Sequence, residues 1–158
     1  MAAGKSTVGK ELADRLGWSF HDLDALVDHR CMAKYGSDIS GLIDRGDEDL
    51  FRLEERKFVT DELSLLDSPV VVSLGGGTLH NDTLGNWLEQ HTRLIVLQVS
   101  WGTVKNRILR SNRPLKVMAK ALYTNRQQGY NRGYQVVVDL KSVIEVVDIL
   151  ELWIRRGH

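Results

Sequence analysis

Apolar positions along this chain follow two recurring patterns, a helical spacing and short continuous runs. The helical spacing predicts a first helix that Gly17 closes as a C-cap. The continuous aliphatic runs predict strands buried on both faces, as in a parallel sheet. In order, the pattern predicts the first helix, a short strand at 18–24, helices at 25–34 and 39–66 with breaks near Gly36 and Gly46, a strand over 70–74, a helix at 81–90, a strand at 94–99, a helix at 101–109, a strand at 135–139 and a last helix at 143–154.

Strands that alternate with helices in this way are typical of a doubly wound α/β fold. The sequence therefore predicts a three-layer α/β/α arrangement, in which helices flank a parallel sheet. A length of 158 residues with 42% hydrophobic content fits one globular domain over 1–158. We expect Trp18, Trp87 and Trp153 to pack within this arrangement and not to stack on a ligand.

Charge and composition narrow the classes of partner. The formal net charge is zero, so bulk charge does not favour a nucleic acid or an anionic membrane. No segment approaches eighteen consecutive apolar residues, and the N-terminus has no apolar signal region, so a soluble, non-secreted protein is expected. The single cysteine, Cys31, cannot form an internal disulfide, and we expect a packing or surface thiol.

The N-terminal residues 3–10, Ala-Gly-Lys-Ser-Thr-Val-Gly-Lys, have the pattern of the second half of a phosphate-binding loop. Gly4 lets the backbone approach a polyphosphate, Lys5 neutralises phosphate charge, and the Ser6 hydroxyl ligates Mg²⁺. The first glycine of the full G-x-x-x-x-G-K-[ST] loop, and the strand before it, would precede Met1. Taken alone, the fragment is equally consistent with a surface loop that happens to contain Lys-Ser.

Asp22 and Asp24 form an acidic pair where the strand at 18–24 ends. Two carboxylates at i and i+2 leave a strand on the same side, where they can hold Mg²⁺ through water or accept a proton from a hydroxyl. The structural alternative, which an isolated D-x-D favours, is a helix N-cap at Asp22 or Asp24.

Gly75, Gly76 and Gly77 follow the strand over 70–74. Ligands of open α/β sheets bind at the carboxyl ends of the strands, and three glycines there remove every side chain. We therefore expect close approach of the backbone to a ligand, with a flexible turn as the alternative.

Residues 51–56, Phe-Arg-Leu-Glu-Glu-Arg, are dense in charge. From spacing alone we favour a solvated helix face with pairs such as Arg52 and Glu55. The functional alternative is that Glu55, one turn on, holds Arg52 toward an anionic substrate. A cationic group flanks Pro114, and it is consistent with a mobile lid that faces phosphate or with a solvent loop: Arg107, Arg110, Arg113 and Lys116. A second cationic group follows at Arg126 and Arg132.

Taken together, these motifs resemble the shikimate kinase family, a branch of the P-loop kinases related to nucleoside monophosphate kinases. The resemblance covers nearly the whole chain and keeps the order of the motifs. The matching segments are 1–7 with the end of the phosphate-binding loop, 21–24 with the D-x-D strand, 51–55 with F-R-x-x-E, 75–77 with the triple glycine, 113–115 with the R-P-L of a lid over about 110–122, and 126–130 with R-x-x-x-Y.

The resemblance implies a role for each matched residue. Lys5, Asp24 and Arg113 would be catalytic, with Asp24 as the base that also binds the substrate hydroxyls. Shikimate would contact Arg52 and Arg126 through its carboxylate. The remaining implied contacts are Gly75, Gly76 and Gly77 with the shikimate ring, Ala3, Gly4, Lys5, Ser6, Thr7, Arg107 and Arg110 with ATP, and Ser6 and Asp22 with Mg²⁺.

The implied reaction transfers the γ-phosphoryl group of ATP to the 3-hydroxyl of shikimate with Mg²⁺ as cofactor. The implied protein is a cytoplasmic monomer without nucleic-acid or membrane partners, or a plastid protein if a transit peptide was removed. The implied fold is that of the P-loop kinases, here without its first strand, which would be central in the sheet.

Two alternatives remain open at this point. A catalytically impaired domain of the same family would keep the shikimate pocket and bind nucleotide weakly, because the phosphate-binding loop is incomplete. A small-molecule kinase for another acceptor, such as gluconate, would not need a pair of arginines for a ring carboxylate, so Arg52 and Arg126 count against it.

Overall fold

The computed structural model of the protein describes residues 3–66, 69–109 and 119–157. The chain divides into two compact units. The first unit comprises Met1–Leu12 and Gly76–His158, and the second comprises Ala13–Gly75. The assignment of 1–158 to one domain stays a prediction.

Helices and strands alternate along the described residues much as the hydrophobic pattern predicts. The helices are α1 (Lys5–Leu16), α2 (Leu23–Tyr35), α3 (Ile39–Asp44), α4 (Glu48–Lys57), α5 (Asp82–His91), α6 (Trp101–Leu109), α7 (Ala119–Arg126) and α8 (Val143–Arg155). The strands are β1 (Ser19–Asp22), β2 (Val70–Ser73), β3 (Ile95–Gln98) and β4 (Tyr134–Val137). A π-helical turn at Phe58–Glu62 and 3₁₀ turns at Leu63–Leu65, Thr78–His80 and Gln128–Tyr130 complete the elements.

In the second unit, β1 pairs with β2 in parallel, with Ser19 opposite Val70 and Asp22 opposite Ser73. Parallel neighbours need a crossover connection, and here α2, α3 and α4 provide it. The sequence predicted that β2 is buried on both faces. This prediction is wrong for three of the four residues of β2, since only Ser73 is fully buried and Val70–Val72 are half-buried.

In the first unit, β3 pairs with β4 in parallel, with Ile95 opposite Tyr134 and Gln98 opposite Val137. Helices α6 and α7 form the crossover between them. The described strands therefore form two parallel pairs, where the sequence predicted one sheet. The expected central strand would precede Ala3 and so lies outside the described residues.

Caps and glycines end the helices where the sequence predicts breaks. The Asp38 carboxylate accepts the Gly41 N–H at 2.7 Å and begins α3, and Gly36 ends α2 in the left-handed conformation at φ +65°. Ser142 and Glu145 form a complete capping box at the start of α8. Local chemistry thus fixes most of the element boundaries.

Helix α7 was not predicted, and its first residues fall within the segment 110–122 that the sequence assigned to a lid. Tertiary packing holds it, because Ala119 is buried with Val104 and Ile108 of α6. The Tyr123 hydroxyl also donates to the Val99 carbonyl at 2.9 Å. Residues 119–122 are therefore helical, whereas 110–118 lie outside the described residues.

The aromatic side chains pack against neighbours within the first unit. Trp153 stacks on Tyr134 with ring centroids 4.5 Å apart, and Trp87 stacks on His91 at the same distance. Two of the three tryptophans therefore pack as expected.

No helix within the described ranges combines the length and hydropathy that crossing a bilayer requires.

Gly133 is the position where the turn into β4 depends most on glycine. Its φ is +62°, and a Cβ there would clash with the carbonyl oxygen of Leu94. That carbonyl accepts the Tyr134 N–H at 2.9 Å, so the oxygen is already committed to the start of the strand pairing.

We predict that Gly133→Ala lowers the free energy of unfolding by about 2 kcal/mol or more, because it adds a left-handed strain and a backbone clash. The measurement is denaturant unfolding of the two proteins. Gly102→Ala in α6 is the matched control, since only the Ser100 hydroxyl lies near its Cβ position, at 3.9 Å. The control should gain up to ~1 kcal/mol from helix propensity. Equal stability of the two variants would contradict the assignment of strain to Gly133.

Candidate active site

The N-terminus of α1 forms the first element of the candidate site. Gly4 has a φ of +86°, a conformation that glycine adopts without strain, and its carbonyl accepts the Val8 N–H at 2.9 Å. The helix then begins at Lys5, and Lys5 and Ser6 lie in its first turn. The helix dipole and the N-terminal N–H groups favour an anion at this end. The predicted end of a phosphate-binding loop therefore has the expected local geometry.

A cavity of about 350 Å³ in the first unit opens beside this helix end. Four residues that the sequence assigned to the nucleotide, Ala3, Gly4, Thr7 and Arg107, line it. The rest of its lining comes from Val8 of α1, from the segment between β4 and α8, and from the start of α8: Val138, Lys141, Ser142, Val143 and Val146. Arg110, also assigned to the nucleotide, lies outside the described residues.

Lys141 and Ser142, which lie between β4 and α8, were not named as site residues from the sequence. The sequence carries a partial signal, since Ser142 and Glu145 have the spacing of a capping box. That signal fixes where α8 begins, and hence where the preceding turn lies, but it does not identify a cavity.

A second cavity of about 210 Å³ lies at the carboxyl end of β3 and β4, and Ala3 also lines it. Asp139 at its rim accepts the Ser100 N–H at 2.9 Å and the Ser100 hydroxyl at 2.9 Å. Burial acts to raise the pKa of Asp139, but hydrogen bonds from Thr103 and Ser100 outweigh it, and the pKa lies below its ordinary value. Asp139 therefore stays ionised and ties the end of β4 to the start of α6.

Arg126, Gly76 and Tyr130 form a contact cluster in the first unit. The Tyr130 hydroxyl donates to the Gly76 carbonyl at 2.8 Å, which ties the 3₁₀ turn after α7 to the glycine segment. A Cβ at Gly76 would lie 2.7 Å from Nη1 of Arg126, so the guanidinium occupies the space that a side chain would need. A side chain at this position would therefore displace the guanidinium of Arg126.

Burial raises the pKa of Tyr130 above its ordinary value, and the positive charge of Arg126 offsets only part of that rise. Tyr130 therefore remains a neutral hydrogen-bond donor at physiological pH. Gly129 supports the same contact, because a Cβ there would lie 2.7 Å from the Leu79 carbonyl oxygen. The turn at Gln128–Tyr130 consequently lies against the backbone of 76–80.

The acidic pair at the end of β1 has two different environments. Asp22 is the N-cap of α2, and its carboxylate accepts the Ala25 N–H at 3.5 Å. The structural alternative given for this pair is therefore correct for Asp22. Asp24 lies in the first turn of α2 and is exposed. An exposed carboxylate at a helix N-terminus is accessible to a ligand hydroxyl.

Arg52 on α4 is held by two carboxylates. Its Nη1 donates to Glu55 at 3.0 Å, and its Nε and Nη2 donate to Glu48 at 3.2 and 2.9 Å. The guanidinium carbon also lies 4.4 Å from the centroid of the Phe51 ring. Glu55 is only 2% exposed, whereas Glu48 is exposed.

The expectation of a solvated helix face at 51–56 is therefore wrong for part of that segment. Phe51, Glu54 and Glu55 are buried, and spacing alone cannot distinguish this face from a surface face with the same ion pairs. The geometry matches the alternative in which Glu55 holds Arg52.

Glu54 is the second buried carboxylate of α4, and sequence reasoning missed it. It is 2% exposed and accepts hydrogen bonds from Lys34 Nζ at 2.6 Å and from the Tyr35 hydroxyl at 2.7 Å. Nη1 of Arg30 lies 3.9 Å from its other oxygen. Each of these partners lies on α2.

The predicted site residues divide between the two units as follows. Ala3, Gly4, Lys5, Ser6, Thr7, Gly76, Gly77, Arg107 and Arg126 belong to the first unit, and Asp22, Asp24, Arg52 and Gly75 belong to the second. Within the first unit the structure places four of the predicted nucleotide residues around one cavity, Ala3, Gly4, Thr7 and Arg107, and it places Arg126 against Gly76. Arg113, like Arg110, lies outside the described residues.

The donor chemistry of the predicted metal ligands suits Mg²⁺. The described residues contain no cluster of three or more His, Cys, Asp or Glu side chains that could hold a metal by themselves. Mg²⁺ usually binds through one or two protein oxygens together with substrate phosphates and water. The Ser6 hydroxyl and the Asp22 carboxylate are ligands of that kind.

Comparison with known proteins identifies the family of the chain. Residues 1–149 match the family model described as "SKI: Shikimate kinase". A shikimate kinase from a Sulfurihydrogenibium species is 32% identical over 99% of this chain and 94% of its own length. A shikimate kinase from Thermobifida fusca is 37% identical over 72% of this chain, and that match spans 62% of the relative.

Solved structures give the same result. Shikimate kinase from Aquifex aeolicus superimposes with a TM-score of 0.78 at 28% identity, covering 98% of this chain and 92% of that one. Shikimate kinase from Bacteroides thetaiotaomicron has the same fold, with a TM-score of 0.81 at 22% identity over 98% and 94% of the two chains. The predicted α/β fold of the P-loop kinases is therefore confirmed, and the chain belongs to the shikimate kinase family.

Proposed function

We propose that this protein transfers the γ-phosphoryl group of ATP to the 3-hydroxyl of shikimate. The observation that carries the proposal is that the family match over 1–149 includes every residue assigned to the site. Two arrangements in the structure support it: the cavity beside the N-terminus of α1, and an arginine on α4 held by a buried carboxylate.

The nucleotide binds in the first unit. The N–H groups at the start of α1 and the Lys5 ammonium neutralise the phosphates. Arg107, Val138 and residues 141–143 line the cavity that receives the nucleoside end. Mg²⁺, which the family reaction uses, would be held by Ser6 and Asp22 and would neutralise charge on the phosphates. The family resemblance alone assigns Arg113 to the transferred phosphoryl group.

Shikimate is held by its carboxylate and its hydroxyls. Arg52 is already oriented by Glu55, so its guanidinium loses little conformational freedom when it pairs with the substrate carboxylate. The exposed Glu48 gives way to that carboxylate, whereas the buried Glu55 remains in place. Arg126, which lies against Gly76, binds the same carboxylate.

The oxygen of the shikimate 3-hydroxyl attacks the γ-phosphorus, and Asp24 accepts the proton of that hydroxyl. The bond from the γ-phosphorus to the β–γ bridging oxygen breaks, and ADP leaves with that electron pair. Little covalent chemistry is required of the protein, so positioning and charge neutralisation supply most of the rate enhancement. This accounts for a site made of cations, carboxylates and glycines.

Monomeric state and cytoplasmic location remain predictions from the sequence.

The activity is tested by calorimetric titration with shikimate and with Mg²⁺·ATP, followed by a coupled assay of ADP release. The expected result is binding of both ligands and ADP release that requires shikimate. Shikimate binding without nucleotide binding would favour the impaired binding domain. ADP release that is independent of shikimate would overturn the proposed acceptor.

We predict that Arg52→Ala and Arg126→Ala each weaken shikimate binding by about 2–5 kcal/mol, because each removes one partner of a charged hydrogen-bonded pair. Binding of Mg²⁺·ATP should be unchanged. The matched control is Arg155→Ala, which removes an exposed arginine paired with Glu151 at 2.8 Å. Loss of affinity for both ligands in either site variant would indicate unfolding and contradict a specific role.

We predict that Gly76→Ala lowers shikimate affinity about tenfold, or ~1.4 kcal/mol, because the new Cβ displaces the guanidinium of Arg126. Since that guanidinium is the flexible end of its side chain, the free energy of unfolding should change little. In the background of Arg126→Ala the same substitution should have no further effect on shikimate binding. An additional tenfold loss in that background would show that Gly76 acts independently of Arg126.

A further inference from the structure

Glu54 is a buried charge that the proposed reaction does not use. It is 2% exposed, and it lies on the same helical turn as Arg52 and Glu55. Successive residues of an α-helix are rotated by about 100° around its axis, so Glu54 lies ~200° from Arg52. The two side chains therefore leave α4 on nearly opposite sides. Glu54 therefore does not hold Arg52 directly, as Glu55 does.

The partners of Glu54 come from one helix, α2. Lys34 and Tyr35 donate to the same carboxylate oxygen at 2.6 and 2.7 Å, and Arg30 approaches the other oxygen at 3.9 Å. Arg30 also pairs with Glu62 in the π-helical turn after α4. The last two turns of α2 are thus tied both to the middle of α4 and to the segment that follows it.

The charge states of this cluster are consistent with strong hydrogen bonds. Burial acts to raise the pKa of Glu54, but the hydrogen bonds from Lys34 and Tyr35 outweigh it, and the pKa lies below its ordinary value. The hydrogen bond with Glu54 likewise raises the pKa of Lys34 and of Tyr35. At neutral pH Glu54 is ionised and both donors keep their protons.

Burying the Glu54 carboxylate against the exposed Lys34 is an expensive way to join two helices. Removing the carboxylate from water costs several kcal/mol, and an apolar side chain at this position would pack without that cost. What the charged contact adds is direction, because two hydrogen-bond donors and a nearby cation on one helix fix where the carboxylate lies. Leu23, Val27 and Cys31 of α2 are also buried. Apolar burial is non-directional, so it does not select one rotation of a neighbouring helix as hydrogen bonds do.

Rotation of α4 matters because of what the two helices carry. Helix α2 begins beside Asp22 and carries Asp24, and α4 carries Arg52 and Glu55. A small rotation or slide of α4 on α2 would change the distance between the base and the arginine that binds the carboxylate. Both groups must contact the same shikimate ring in the reaction proposed above.

We propose that Glu54 is a positioning residue that fixes α4 on α2 and thereby holds Arg52 at the separation from Asp24 that shikimate requires. This inference rests on the proposed function. It assigns to the contact among Glu54, Lys34 and Tyr35 a role in substrate affinity in addition to its role in stability.

The test is calorimetric titration of the full chain with shikimate, with Glu54→Gln as the main variant. Glutamine keeps the volume of the side chain and removes its charge. We expect the Kd for shikimate to rise about tenfold, as for a displacement of binding groups by a fraction of an ångström, while the Kd for Mg²⁺·ATP stays within about twofold. Lys34→Met and Tyr35→Phe, which each remove one donor, should shift shikimate affinity in the same direction by smaller factors.

Two comparisons separate positioning from general loss of stability. Leu150→Ala truncates a buried residue of α8 in the first unit and should lower the unfolding temperature while leaving the Kd for shikimate unchanged. In the background of Arg52→Ala, Glu54→Gln should have no further effect on shikimate binding if Glu54 acts through Arg52.

The outcomes distinguish this inference from the proposed function. If the unmodified chain binds shikimate and Glu54→Gln binds it equally well, the inference is overturned and the proposed function stands. If Glu54→Gln weakens binding equally with and without Arg52, Glu54 does not act through that arginine, and the inference is likewise overturned. If the unmodified chain does not bind shikimate, the proposed function fails and the inference fails with it.

Discussion

The second unit is organised around the burial of two adjacent carboxylates, Glu54 and Glu55, on one turn of α4. A buried carboxylate is tolerated only where donors or cations meet it, and each of these two meets its own set. One set ties α4 to α2, and the other fixes the arginine that α4 presents. The same constraint therefore determines how the helices pack and where the charged group of the site lies.

The first unit meets a different constraint, which is close approach of backbone to backbone and to side chains. Gly129 lies against the Leu79 carbonyl, Gly133 lies against the Leu94 carbonyl, and Gly76 leaves room for the guanidinium of Arg126. At each position a Cβ would meet an atom that already has a role in a strand, a turn or the site. Glycine here is a requirement of packing as much as of ligand access.

Much of the fold could be predicted from the sequence, because helix caps and continuous aliphatic runs are local signals. Helix α6 was predicted with the bounds that it has, and the breaks at Gly36 and Gly46 lie where expected. Helix α7 was missed because Ala119 is held by contacts with α6, and Tyr123 by a hydrogen bond to Val99 just after β3, and no local pattern encodes these contacts. The pairing of strands into two pairs is likewise a long-range property.

The candidate site could be predicted only where a motif carries its chemistry in a short segment. Lys5, Asp24, Arg52 and Arg126 were identified in this way, and their roles stay predictions. Lys141 and Ser142 were missed, because the cavity that they line forms only when the turn before α8 folds beside α1. Glu54 was missed because spacing suggests a surface face. Its burial depends on Lys34 and Tyr35 of α2, which lie twenty and nineteen residues earlier in the chain.

The burial of Cys31 makes α2 observable in solution. The Cys31 thiol is fully buried on that helix, and burial raises its pKa. A reagent that reacts with thiolates therefore cannot modify Cys31 while α2 is packed against its neighbours. Because the chain has a single cysteine, the rate of labelling reports how often α2 separates from its neighbours. The chain thus contains an intrinsic probe of local opening, without any added label site, at the helix that carries Asp24.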